Sequence, residues 1–195
     1  MNIVELRRLL LVTFAALVVA MVAAVIVAIA DDDSAGENGL AGPAINSPRI
    51  GDHWHAAYSI NICGARRPNI PTFTGPEGIH THGDGIIHMH PFILAGEVSG
   101  AAIGKFFEYG GGQLTTSSLR IPGSSDTQAS GRIICDGEPA SLSILRADSG
   151  IHPLGSGFSE AIQACDTLPA SDYEAVTPAY IPQDGDCIRI VLAPE

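Results

Sequence analysis

The feature that most constrains the fold is an alternating stretch of residues on either side of a short glycine-rich turn. Residues 78–92 read Gly-Ile-His-Thr-His-Gly-Asp-Gly-Ile-Ile-His-Met-His-Pro-Phe. Alternation is typical of a strand, in which side chains two residues apart share a face, and the Gly-Asp-Gly at 83–85 supplies the residues that a tight turn needs. We therefore predict a β-hairpin in which His80 lies opposite His88.

In this register, four of the seven histidines of the chain lie on one face of the hairpin. A second His-x-His occurs upstream, where alternation places its histidines on the opposite parity to the apolar residues that follow. A neighbouring strand would therefore add two more imidazoles. The six candidate metal ligands are His53, His55, His80, His82, His88 and His90.

Paired histidines on strands favour a transition-metal site. Neutral imidazole is the commonest protein ligand for zinc and also suits copper and nickel. One His-x-His pair carries little weight, but three pairs lie within the 38 residues from His53 to His90. We predict a metal-binding domain with zinc as the favoured ion, and copper or nickel as less favoured ions.

A reading without metal stays open. Imidazoles titrate near neutral pH, so a face of adjacent histidines can also form a pH-responsive or interaction module. Among the neighbours, Asp52, Asp84 and Glu97 are candidate acceptors for the imidazole N–H groups, although the turn is the favoured role for Asp84. Met89 alternates away from the histidines and is predicted to be core, and His152 is predicted to be a surface residue.

An apolar segment near the N-terminus predicts a membrane anchor. Residues 9–30 contain no charge and one polar residue, and at 1.5 Å per residue a helix of this length covers about 33 Å. Two arginines precede the segment and three aspartates follow it, which places the N-terminus in the cytoplasm and the rest of the chain outside. The alternative is a secreted protein, because Ala28-Ile29-Ala30 has the small-x-small form that signal peptidase cleaves.

We divide the chain into a cytoplasmic stub with a transmembrane anchor (1–30), a flexible linker (31–49) and an extracytoplasmic histidine-rich domain (50–195). The predicted fold class is α+β, with a mostly antiparallel sheet and one short helix at 101–109. Residues 148–180 are predicted to be mainly loop, with a helical turn near 159–164. Further strands are predicted within 53–63, 113–121, 132–135, 141–146 and 187–192.

Charge and cysteine content narrow the partners and the compartment. From Asp31 onward there are 20 acidic and 8 basic residues, which disfavours nucleic acid and anionic lipid headgroups as partners. We predict that residues 9–30 contact the lipid bilayer, and the sequence does not identify a protein partner. All four cysteines follow the apolar segment, so two disulfides are expected, with three connectivities open. We favour Cys63 with Cys135 and Cys165 with Cys187.

Three enzyme patterns that use His-x-His fit this chain poorly. The segment 80–84 resembles the His-x-His-x-Asp-His signature of metallo-β-lactamase-like hydrolases, but Gly85 replaces the last histidine. The segment 52–55 resembles an amidohydrolase motif, whose barrel needs about 250 residues. The segment 88–90 with Glu97 resembles a cupin motif at the wrong spacing. No catalytic residue is assigned, and a metal-dependent hydrolase or cupin-like enzyme is the third hypothesis.

Several motifs resemble an uncharacterised family of membrane-anchored, chiefly actinobacterial proteins. They are Asp-His-Trp-His-Ala-Ala-Tyr at 52–58, the histidine stretch at 78–92, Gly-Lys-Phe-Phe at 104–107 and Cys-Asp-Gly at 135–137. The resemblance covers roughly residues 52–140. It implies an exported domain with a single N-terminal anchor, and it assigns no catalytic residue.

Overall fold

A computed structural model describes residues 46–94, 100–153 and 157–194, together with Asn2 and Glu5. The predicted membrane segment and most of the predicted linker lie outside these residues. Within the described part of the chain, no helix has the length and apolar character needed to cross a bilayer. The residues from 46 onward belong to one compact unit.

Thirteen strands and two α-helices make up the described part of the chain. In chain order they are β1 (Trp54–Ile62), β2 (Ala65–Arg66), β3 (Phe73–Thr74), β4 (Ile79–Thr81), β5 (Ile86–Met89), α1 (Ile103–Tyr109), β6 (Gln113–Leu114), β7 (Ser118–Arg120), β8 (Gln128–Ala129), β9 (Ile134–Cys135), β10 (Glu138–Pro139), β11 (Ser141–Asp148), α2 (Phe158–Thr167), β12 (Glu174–Ala175) and β13 (Asp186–Ala193). A short 3-10 helix, Ala170–Asp172, follows α2.

One eight-stranded sheet organises the domain. Its order is β12-β11-β13-β1-β5-β4-β3, and β2 adds to β1 outside this path. Every pairing in it is antiparallel except that of β1 with β13, the last strand of the chain. The predicted α+β class with a mostly antiparallel sheet is therefore confirmed. Two small sheets, β6-β7-β8 and β9-β10, complete the strands.

The two faces of the sheet are covered by different helices. On the first face, Phe106 and Phe107 of α1 pack with Tyr58 and Met89 in the main core, which confirms that Met89 is a core residue. Because successive side chains in a strand point to opposite faces, the histidines next to these positions lie on the second face. That face is covered by α2, whose Cys165 packs against the sheet.

The prediction of a single short helix is wrong, because α2 is a second one. The predicted turn at 159–164 lies within it. Its only buried residues are Ala161 and Cys165, so little apolar surface marks the helix in the sequence. Packing on the sheet, together with a disulfide from Cys165 to Cys187, stabilises it. The predicted strand region at 113–121 is also interrupted, forming β6 and β7 on either side of a turn.

Both predicted disulfides are confirmed. Cys63 bonds to Cys135 and Cys165 bonds to Cys187, and no cysteine is left free. The first bridge connects the end of β1 to β9, and the second ties α2 to β13. All four sulfurs are consumed, so thiolate is not available as a metal ligand.

Candidate metal centre

The middle row of histidines runs straight across three neighbouring strands. His55 in β1 pairs with His88 in β5, and His88 pairs on its other side with His80 in β4. The pairing of His80 with His88 is the one predicted from the Gly-Asp-Gly turn, which closes this hairpin, whereas the register of His55 was not predicted. The row lies on the face of the sheet that α2 covers.

The other three histidines, His53, His82 and His90, each lie two positions along the chain from a histidine of the row. They therefore lie on the same face of the sheet. The ring of His53 stacks on that of His90 with centroids 4.0 Å apart, and the ring of His82 lies edge-on to that of His88 at 4.6 Å. Within the row, the His80 and His88 rings stack at 5.2 Å. The structure therefore brings all six predicted ligands into one continuous cluster of rings.

Five of the six histidines form two groups that can hold a metal ion. The inner triad is His55, His88 and His90, and the outer triad is His80, His82 and His88. In each triad, the candidate ligand atoms lie within 4.8 Å of one another. His88 belongs to both, whereas His53 belongs to neither. This grouping of nitrogens is one that could hold a metal ion.

One distance in the inner triad already matches metal geometry. The Nε2 atoms of His55 and His90 are 3.4 Å apart. Two nitrogens bound to zinc at about 2.0–2.1 Å with a tetrahedral angle between them are separated by about 3.4 Å. The separation of these two nitrogens is therefore compatible with two ligands on one zinc ion.

Acceptors around the cluster determine which ring nitrogen of each histidine carries the proton. Asp84 Oδ2 lies 3.0 Å from His88 Nε2, and the Gly78 carbonyl lies 3.1 Å from His80 Nδ1. A carboxylate or a carbonyl can only accept, so these two ring nitrogens donate and the other nitrogen of each ring keeps its lone pair. Asp84 also shapes the turn, because its Oδ1 accepts the Ile86 amide at 3.1 Å. Both predicted roles of Asp84 are thus present.

One ring nitrogen of His55 is buried without a hydrogen-bond partner among the described residues. Its Nδ1 makes no hydrogen bond of ordinary geometry with any described residue, although the ring is only 3% exposed. The backbone of Pro153 acts on the ring as a hydrogen-bond partner that raises its pKa, and proline offers only a carbonyl for this purpose. An Nδ1–H directed at this carbonyl would leave the lone pair on Nε2, the nitrogen that faces His90.

Burial keeps the central imidazoles neutral. It lowers the pKa of His88 to about 4, against the opposing effect of Asp84. It also lowers the pKa of His90 to about 4, and repulsion by neighbouring imidazoles adds to this effect. The pKa values of His55 and His80 are lowered for the same first reason. Neutral imidazoles have the lone pairs that a metal ion requires at pH 7.

The carboxyl of Asp84 stays ionised beside these rings. Burial acts to raise its pKa, but the hydrogen bonds from His88 and from the Ile86 amide outweigh burial, and the net pKa lies below its usual value. The cluster therefore contains an anionic acceptor next to neutral ligands. A bound cation would be stabilised by this charge.

Two contributors to the site were missed in the sequence. Phe158, at the start of α2, lies over the cluster with its ring 5.0 Å from that of His55 and 5.2 Å from that of His88. Asp184, in the turn before β13, accepts the His55 amide at 2.8 Å. Both are far from His55 in the chain, Asp184 by 129 residues, and they come near it because β13 pairs with β1 and because α2 is bonded to β13 by a disulfide.

His152, Asp52 and Glu97 were the other residues considered from the sequence. His152 is 57% exposed, as predicted for a surface residue, and its Nδ1 lies 3.3 Å from Asp184 Oδ2. The Asp52 carboxylate accepts the amide of Arg49 at 2.8 Å. Glu97 lies outside the described residues. Of the three carboxylates proposed as acceptors for imidazole, Asp84 is the one that the structure shows bonded to a ring.

Comparison of the chain with family models, with curated proteins and with solved structures finds no match.

Proposed function

We propose that the domain binds one transition-metal ion through its histidine cluster, with zinc as the favoured ion. The observation that carries the proposal is the 3.4 Å separation of His55 Nε2 and His90 Nε2, with His88 as the third ligand of the same triad. The oxidised cysteines leave an all-imidazole donor set. Such a set suits zinc, and it also accepts copper and nickel.

The surroundings favour a binding site over a catalytic centre. Phe158 and the sheet bury His55 and His88, and each of these is only 3% exposed. Burial of this kind protects a bound ion from exchange with water, whereas hydrolysis by a metal ion needs an open position that substrate and water can reach. We infer a role in holding or handling the metal ion.

A pH-responsive module without metal is the second candidate. The ring contacts among the histidines favour it, since stacked neutral imidazoles form a network that protonation would disrupt. The pKa of about 4 for both His88 and His90 places this disruption in strongly acidic surroundings. Metal content at pH 7 distinguishes the two functions, because only the metal-binding function predicts bound metal.

We also propose that the domain is exported and tethered to the cell membrane by residues 9–30. The apolar character of that segment supports the tether, and two disulfides support an oxidising compartment. The motifs that resemble a membrane-anchored family, at 52–58 and 78–92, support the same arrangement.

Metal content tests the proposed function. The full-length chain, purified without a polyhistidine tag, is loaded with zinc, dialysed and measured by elemental mass spectrometry. We expect one zinc per chain, and a loss of binding of at least about tenfold in a His55→Ala/His90→Ala variant. His152→Ala is the control, because it removes a histidine that lies in neither triad. Less than half an ion per unaltered chain at saturating zinc would refute the proposal.

A further inference from the structure

We propose that the two triads are alternative positions for a single ion, which binds first at the outer triad and then moves to the inner triad. His88 stays bound throughout, while His80 and His82 are exchanged for His55 and His90. This inference rests on the proposed function. It adds that the cluster has a capacity of one ion and a direction of transfer from the surface inward.

The capacity of one follows from the shared histidine. A neutral imidazole has one lone pair, and the other nitrogen carries a proton. In His88 that proton lies on Nε2, because Asp84 Oδ2 at 3.0 Å can only accept. Nδ1 is therefore the one nitrogen of His88 that is free to bind metal. Two ions could share the ring only if Asp84 lost its hydrogen bond and His88 lost a second proton.

Electrostatic repulsion points to the same capacity. Both triads place their ligand atoms within 4.8 Å of the shared residue, so two divalent ions would lie very close together. Their repulsion is strong in a partly buried site, where water screens charge poorly. The ionised Asp84 offsets only one of these charges.

The direction of transfer follows from exposure. Apart from the shared His88, the outer triad contains the exposed His82 and the half-buried His80. The inner triad contains the buried His55 and the half-buried His90. An ion that arrives from water therefore meets His82 before it meets His55. The outer triad also needs less desolvation of the ion, which favours it as the first contact.

The inner triad is the better final position because its ligands are already held in place. The amide of His55 is bonded to Asp184 at 2.8 Å, and its Nε2 already lies 3.4 Å from that of His90. Preorganised ligands lose less freedom when they bind. Phe158 covers this side of the cluster, so an ion in the inner triad exchanges slowly with solvent.

The test compares the rate and the strength of binding in matched variants of the full-length, untagged chain. Zinc is mixed with each protein in a stopped-flow instrument, and its uptake is followed with a coloured chelator. The outer triad is altered by His82→Ala and the inner triad by His90→Ala. His152→Ala is the control, and thermal melts of the metal-free proteins check that all four are folded.

The two triad variants should fail in different ways. For His82→Ala we expect one ion per chain and a dissociation constant within about threefold of the unaltered protein, but uptake slowed by at least about tenfold. For His90→Ala we expect fast uptake and affinity weakened by at least about tenfold. Two ions per unaltered chain would overturn the inference, and so would unchanged uptake by His82→Ala. If the unaltered chain binds no zinc, the proposed function fails as well.

Discussion

Acidification should destabilise the metal-free domain between pH 6.5 and pH 4, because burial keeps the central imidazoles neutral. The pKa of His88 is lowered from 6.5 to about 4 in the folded state. Between these two values the unfolded chain binds more protons than the folded chain, so the free energy of unfolding falls as pH falls. Asp84 contributes little between pH 7 and pH 5, because its pKa is lowered from the usual 3.8 and the stability it provides is lost mainly at more acidic pH.

The size of the effect can be worked out for His88, which is only 3% exposed. A histidine with a pKa of 6.5 when unfolded and about 4 when folded loses about 2 kcal/mol of unfolding free energy between pH 7 and pH 5. His90, whose pKa is also about 4, adds to this loss, but by less because it is partly exposed to solvent.

Urea unfolding of the full-length chain measures this loss directly. Samples in excess chelator are unfolded at pH 7, 6 and 5, and the free energy of unfolding is obtained by linear extrapolation. In a His88→Gln variant, the decrease between pH 7 and pH 5 should be smaller by about 2 kcal/mol, whatever the variant's stability at pH 7. Equal decreases in the two proteins would refute the claim that the buried His88 causes this part of the loss in unfolding free energy.

Three further predictions concern the hairpin, the acceptor and the anchor. Gly78→Ala should destabilise the domain by more than the matched Gly51→Ala in thermal or urea unfolding. Both glycines have positive φ, which costs a substituted residue about 1–2 kcal/mol, but a Cβ at Gly78 would lie 2.1 Å from a carbonyl oxygen whereas one at Gly51 meets no atom within 4 Å. Asp84→Ala should weaken zinc binding by about 10–100-fold in a chelator competition, and the control Asp52→Ala should leave it unchanged. Deletion of 9–30 should release the protein from washed membranes, and equal retention of both forms would contradict the anchor.

The hairpin and the face on which its histidines lie could be predicted from the sequence because their geometry is local. The turn at 83–85 determines which residues of the two strands face each other, and alternation then determines the face. The pairing of His80 with His88 followed from these two rules alone. The same alternation predicted that Met89 points away from the histidines and into the core.

The rest of the site depends on contacts between distant parts of the chain. β1 lies between β5 and β13, and its parallel pairing with β13 brings Asp184 to the amide of His55. No local pattern encodes a pairing of the first strand with the last. The position of Phe158 is equally non-local, because α2 is short, weakly apolar and held on the sheet by a disulfide. The division of the cluster into two triads with His88 in common also required the three-dimensional arrangement.

X-ray absorption at the zinc edge of the loaded, full-length protein tests the central claim most directly. The account predicts a first coordination sphere of nitrogen at about 2.0–2.1 Å, with the multiple-scattering pattern of at least three imidazoles. Fewer than three imidazoles should remain in a His88→Ala variant, which removes the histidine that both triads contain, whereas His152→Ala should keep the pattern. A sphere made of oxygen alone, or an imidazole signal unchanged by His88→Ala, would contradict the assignment of the metal to the histidine cluster.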